Sequence, residues 1–244
     1  MLLEGQLSFA ESSRPIKDSE YDVAARRNFR LKAIPVAIDG IAIAVNPDLK
    51  IEGLTIEQLK GIYTGQITNW QQVGGPDLPI SPISRPPDSG GTPELFKEVV
   101  LGNQPFGSHV RYVGDTTTGL QRVGNSLGAG GVPGGIYYAS ASEVVGQCIV
   151  KTLPISRHQG AEFVAPYQTP PVSVSNCSTQ PNQLNIDAIQ NDIYPLTRRL
   201  FVVIKQDGGL DEAAGEAYAN LLLTPEAQQL VRQAGFVPIR QGDF

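Results

Sequence analysis

The sequence has no run of eighteen apolar residues, so it offers no membrane-spanning helix. It has no basic run of five or more residues, and its formal net charge is −5, which excludes general nucleic-acid binding. Any anion this chain holds must be drawn by a local constellation. The opening stretch, MLLEGQLSFAESSRPI, lacks the cationic and apolar regions of a signal peptide, so no address is expected in the chain as written. Histidine is scarce. His109 and His158 are the only two, and neither shows ligand spacing, so no metal site and no cofactor is expected. No glycine-lysine-serine/threonine ending and no G-x-S-x-G elbow occurs, which argues against a nucleotide loop and a serine hydrolase. Cys148 and Cys177 are the only cysteines. Two readings stand open for them: buried thiols, as in an intracellular protein, or a disulfide stabilising a secreted one by about 3 to 4 kcal/mol.

What is present is ordinary for a globular protein: 41% hydrophobic and 18% charged residues over 244 positions, enough for one large domain or two lobes. LKAIPVAIDGIAIAVNP (31–47) is rich in β-branched residues and predicts one or two strands, interrupted near Asp39-Gly40. In LTIEQLKGIYTGQ, Thr55 and Gln58 form a capping-box pattern, Ile56, Leu59, Ile62 and Tyr63 supply an apolar face, and Gly65 ends the helix. LPISPIS reads as a short strand, GNSLGAGGVPGG (124–135) as a flexible loop, and IYYAS as a strand. Residues 156–183 are proline-rich and polar, which predicts a long surface excursion. RRLFVVIK is a strand, followed by two helices, LDEAAGEAYANLLL and TPEAQQLVRQAG, the second capped by Thr224. Short strands alternating with helices indicate an α/β protein.

The stretch SRPPDSGGTPELF (84–96) sets an arginine, two serines, a glycine pair and a threonine before a helix. Thr92 fits the cap and Pro93 the first helical position. A helix start leaves N–H groups unpaired and carries roughly half a positive charge. Glycine lets an anion approach those groups closely. Ser89 and Thr92 add hydroxyls, and the planar fork of Arg85 suits two oxygens of one tetrahedral anion. Local pattern alone also fits a capped helix after a turn, with Arg85 solvated. FAESSRPI (9–16) repeats the vocabulary: Ser12, Ser13 and Arg14 set hydroxyls beside a guanidinium. Two such clusters suggest an anion gripped from two sides.

Taken in order, LLEGQLSFAESSRPI, IDGIAIAVNP, LTIEQLKGIYTGQITNW, SRPPDSGGTPELF, GGIYYA, YPLTRRLFVVIK and LLLTPEAQQLVRQAGFVPI cover nearly the whole chain. They resemble segments of the phosphate-binding proteins of ABC transporters, the type 2 periplasmic binding proteins. The resemblance implies an α/β fold of two lobes joined by crossover strands that close on one phosphate. Lobe I would hold residues 1–37 and 199–244, and lobe II residues 38–198. It implies that Arg85, Ser89 and Gly90 form the phosphate loop, and that Ser12, Ser13 and Arg14 contribute from the other lobe. The loop reads S-G-G-T where the family has S-G-T, so Gly91 N–H and Thr92 share the threonine's role. The family's opening section is not matched, which leads to the expectation of an incomplete first lobe and of self-association through it.

By resemblance the protein is expected to be a non-enzymatic solute-binding protein, periplasmic or extracellular. It would capture inorganic phosphate in the inter-lobe cleft and present it to an ABC transporter permease. The alternative is a phosphate-sensing or interaction domain of a signalling system. Telling phosphate from sulfate calls for a carboxylate that accepts the proton phosphate still carries near neutral pH. Relatives place an aspartate where this chain has Ser13, so Asp39 is the first choice for that role here and Asp88 the second.

Overall fold

The computed structural model describes residues 1–125, 132–168, 171–172 and 176–239. Most of the glycine loop, and the middle of the 156–183 excursion, lie outside the described residues. The chain begins with β1 (Phe9–Ser12), α1 (Asp18–Arg26), β2 (Arg30–Val45), β3 (Leu54–Thr55) and α2 (Ile56–Thr64). It continues through β4 (Ser81–Ser84), α3 (Gly91–Val99), β5 (Arg111–Tyr112), α4 (Thr116–Gly124), β6 (Gly135–Ser140) and α5 (Ala141–Val144). After β7 (Lys151–Leu153), β8 (Ile155–Ser156) and α6 (Ile186–Gln190) come β9 (Thr197–Gln206), α7 (Leu210–Leu222), α8 (Pro225–Gln233) and β10 (Val237–Pro238). The chain is α/β and divides into two compact units: Met1–Asp39 with Arg198–Phe244, and Gly40–Thr197.

The first unit is built on β9, which pairs antiparallel with β1, and on β2, whose Ala37 and Ile38 pair antiparallel with β10. Val36, Val202, Ile204 and Ala219 form a buried cluster that carries α7. Phe9 stacks on Tyr218 with ring centroids 4.6 Å apart, and the Tyr218 hydroxyl donates to Glu11. α8 is fixed by Gln228, a fully buried amide with both ends satisfied. Its Nε2 donates to the Val36 and Leu222 carbonyls, and its Oε1 accepts from Ile239 N–H. A buried polar side chain is tolerated on those terms.

In the second unit, β6 sits between β2, paired antiparallel, and β4, paired parallel; β4 pairs parallel with β5 in turn. Such a sheet is covered on its faces, and β6 is buried along its whole length. α2 keeps the expected capping box of Thr55 and Gln58, and Gly65 ends it in the left-handed conformation. Tyr63 from α2 is completely buried, and its hydroxyl donates toward the carbonyls of Ile83 on β4 and Ile136 on β6. Phe96 from α3 stacks on Tyr138 from β6 at 3.7 Å between centroids. These aromatic contacts fix where α3 begins relative to the ends of β4 and β6.

Two expectations of the sequence need correction here. The predicted break near Asp39-Gly40 does not occur, because β2 is a single strand of 16 residues. Gly40 makes room rather than a turn: a Cβ there would lie 3.2 Å from Ile189 and 3.4 Å from Ala141. Thr92 does not cap α3 either. Gly90 occupies that position, and Pro93 is the third helical residue instead of the first. Cys148 and Cys177 form a disulfide, which resolves the two readings left open for them.

Candidate functional site

β4 ends at Ser84, which is fully buried, and its hydroxyl oxygen is 2.7 Å from the Tyr138 phenol. The same hydroxyl donates to the Arg85 carbonyl, so the chain leaves the sheet at a fixed angle. The Pro86-Pro87-Asp88 turn is closed by Ser89, whose N–H and Oγ both meet the Pro86 carbonyl, at 3.0 and 2.7 Å. Arg85 Nη2 folds back onto the Ser89 carbonyl. Gly90 then takes φ 141°, a conformation costly for residues with a Cβ, and a Cβ there would sit 3.5 Å from Arg85 Nη2. The loop thus delivers α3 with its first N–H groups beside the arginine.

No side chain caps α3, and its first turn carries the positive end of the helix dipole. Arg85 Nε is buried and has no hydrogen-bond partner among the described residues. A buried guanidinium nitrogen left unpaired is costly, and an anion oxygen would satisfy it. Arg85 and Thr92 line a small pocket together with Thr116, Tyr137, Tyr138 and Glu143. Burial pushes the Tyr137 and Tyr138 phenols up, so both stay protonated; that of Tyr138 donates to Ser84 Oγ, whose own proton goes to the Arg85 carbonyl. α4 approaches Tyr137 closely because Gly119 has no side chain; a Cβ there would lie 2.6 Å from the ring. Asp115 caps α4, accepting from Thr118 N–H and Oγ1 at 2.8 and 3.0 Å. Those hydrogen bonds chiefly, with a smaller contribution from Arg85, hold its carboxyl below the usual range.

Of the residues singled out by sequence, Arg85, Ser89, Gly90, Gly91 and Thr92 come together on this one loop and helix start. The other group lies in the first unit. Ser12 ends β1 and its Oγ donates to the Arg14 carbonyl at 2.8 Å. Arg14 makes a two-pronged ion pair with Glu20, both contacts at 2.8 Å, and a further bond to the Pro15 carbonyl. That hydrogen-bonded pairing holds the Glu20 carboxyl at about 2. Ser13 is half-buried beside them. Asp39 is 1% exposed, and its Oδ2 accepts from Arg198 Nε and Nη2 at 3.0 and 2.8 Å. It is an ion-paired residue of the first unit. Asp88 is exposed on the loop.

Sequence reasoning missed Tyr137, Tyr138, Thr116 and Glu143. The signals were the doubled tyrosine of IYYASASE and the Asp-Thr-Thr-Thr cap of α4. Both histidines are occupied by backbone: His109 Nε2 meets the Ile62 carbonyl at 2.9 Å and His158 Nδ1 that of Gln159 at 3.1 Å.

An arginine fork and an open helix start on an α/β unit make a candidate oxyanion cradle. Residues 1–226 match the family described as the PBP superfamily domain, and the chain belongs to it. Within it the chain resembles the phosphate-binding members. It is 28% identical to the phosphate-binding protein PstS of Pseudomonas aeruginosa, over 98% of this chain and 70% of that protein. With PstS of Staphylococcus epidermidis the identity is also 28%, over 96% of this chain and 65% of the relative. The fold is similar to that of an ABC-type phosphate transport receptor from Vibrio cholerae, with TM-score 0.70 and 25% identity over 96% of this chain and 81% of the receptor.

Proposed function

We propose that this protein captures inorganic phosphate at the Arg85–Thr92 cradle and delivers it to an ABC transporter without transforming it. The observation that carries the reading is Arg85: its Nε is buried without a hydrogen-bond partner among the described residues, beside a helix start with no side-chain cap. Arg85 supplies a charged planar donor, Gly91 and Thr92 supply N–H groups, and the phenol of Tyr137 lies on the pocket wall. Together these donors replace the water stripped from an entering anion, which is the work of a binding site. The relatives named above are transport receptors and phosphate-binding proteins, which favours delivery over the sensing alternative. The Cys148–Cys177 disulfide supports a periplasmic or extracellular setting, since such bonds persist in oxidising compartments.

Titration calorimetry with inorganic phosphate tests the reading. Saturable binding by the unsubstituted chain is expected, and Arg85→Ala should weaken it by more than about tenfold, the cost of losing a charge-assisted donor to a desolvated anion. The fold should survive, because the side-chain hydrogen bond of Arg85 stays within its own loop. Unchanged affinity in the folded variant would remove Arg85 from the site.

A further inference from the structure

At the root of the Arg85 loop, β4 and β6 carry two buried hydroxyls that the phosphate reading leaves without a task. Ser84, the last residue of β4, is fully buried, and Tyr138 on β6 is 2% exposed. The two strands run parallel, with Pro82 opposite Ile136, and the hydroxyl oxygens meet at 2.7 Å. Ser84 Oγ also lies 2.7 Å from the Arg85 carbonyl, which has no proton to offer. A hydroxyl carries one proton. That of Ser84 goes to the carbonyl, so the two bonds run in one direction, from Tyr138 to Ser84 to Arg85. The far end is held by packing: the Tyr138 ring stacks on Phe96 with centroids 3.7 Å apart and meets Tyr63 edge-on at 5.5 Å. Arg85 itself is held by little else. It precedes Pro86, which closes the helical region to it and leaves a broad extended one. Among the described residues its side chain bonds only to the Ser89 carbonyl of its own loop.

We infer that Tyr138 and Ser84 are positioning residues of the phosphate site: their two hydrogen bonds in series fix the Arg85 carbonyl, and through it aim the Arg85 guanidinium at the anion. The inference rests on the phosphate reading given above and adds how the arginine is kept ready before an anion arrives. The direction of the Arg85 carbonyl orients the peptide that leads into Pro86. It thereby sets where the Pro86–Ser89 turn and the start of α3 stand relative to the arginine. A donor set already in place binds with a smaller ordering cost than one assembled around its ligand. Neither hydroxyl needs to touch phosphate for this. Ser84 is fully buried, and Tyr138 lines the Arg85 pocket with its proton already committed to Ser84.

The experiment measures phosphate affinity by calorimetry for the full chain, Tyr138→Phe, Ser84→Ala and the double variant, each with and without Arg85→Ala. Tyr138→Phe keeps the stacked ring and deletes one donor. With Arg85 present, each single variant should bind phosphate about threefold to tenfold more weakly, the worth of one hydrogen bond. The double variant should be no weaker than Ser84→Ala alone, because the bonds act in series. Alongside Arg85→Ala the same changes should cost nothing further. A merely structural role would lower the folded fraction, which calorimetry reads as fewer sites rather than weaker ones. If folded Tyr138→Phe binds phosphate as tightly as the unsubstituted chain, or its loss persists alongside Arg85→Ala, the positioning role is wrong and the phosphate reading stands. Should Ser84→Ala fail to fold, Tyr138→Phe with and without Arg85→Ala decides alone. If the unsubstituted chain binds no phosphate, both fall.

Discussion

At the scale of single residues, Arg198 and Arg85 have different partners. Arg198 is 10% exposed and holds Asp39, 1% exposed, at 2.8 Å. Taking one member from such a pair leaves a buried charge uncompensated, so Arg198→Ala should destabilise the fold by about 3 to 5 kcal/mol in urea unfolding. A loss below about 1 kcal/mol would mean that water reaches Asp39 freely. Arg85 forms no ion pair among the described residues: its buried Nε has no hydrogen-bond partner there, and one nitrogen goes to the Ser89 carbonyl. Its charge stays available for a ligand. Arg14 shares the sequence vocabulary of Arg85, but its fork is filled by Glu20. The sequence shows which residues are arginines beside hydroxyls; it does not show which of them already has a carboxylate within reach.

At the scale of elements, the cradle depends on how α3 begins. Gly90 holds φ 141° at the cap, and Gly90→Ala should cost about 1 kcal/mol or more in stability and weaken phosphate binding as well. Parallel unfolding and titration measurements on that variant check both effects. An alanine variant with unchanged affinity would show that the helix start tolerates a shifted loop. The helix itself was legible in PELF and the following valines; its first residue was not. Thr92-Pro93 reads as a cap and first helical residue by local preference, whereas packing of Phe96 on Tyr138 and the Ser89–Pro86 turn draw the helix back to Gly91. α2 was legible to its ends because both its caps are local chemistry, Thr55 with Gln58 and then Gly65. α1 and α4 gave little signal. α1 buries only Ala24, and α4 opens on three threonines and carries Gly119 where a side chain would strike Tyr137. The pocket wall formed by Tyr137 and Glu143 was hidden for a related reason: strand periodicity reports that β6 is buried, not which loop its side chains meet.

At the scale of the whole molecule, the disulfide is the covalent constraint on a segment with little regular structure. It joins positions 29 residues apart, spanning β7, β8 and much of the irregular excursion. Tyr167 from that excursion packs against the buried cluster around β6. Reduction should lower stability by about 3 kcal/mol, read as a shift of the denaturation midpoint between oxidised and reduced protein. Coincident midpoints would show that packing alone holds the segment. The composition and segment order made the α/β class legible at once, while the disulfide and the ion pair of Asp39 depended on side-chain distances no local pattern encodes.

The central claim is that an inorganic phosphate sits on the Arg85 loop and the start of α3. A crystal structure of the chain grown with phosphate tests it most directly. The account predicts one tetrahedral anion with its oxygens about 2.7 to 3.2 Å from the Arg85 guanidinium and from N–H groups of the first turn of α3. A phosphate bound elsewhere, with Arg85 still turned only to the Ser89 carbonyl, would contradict it.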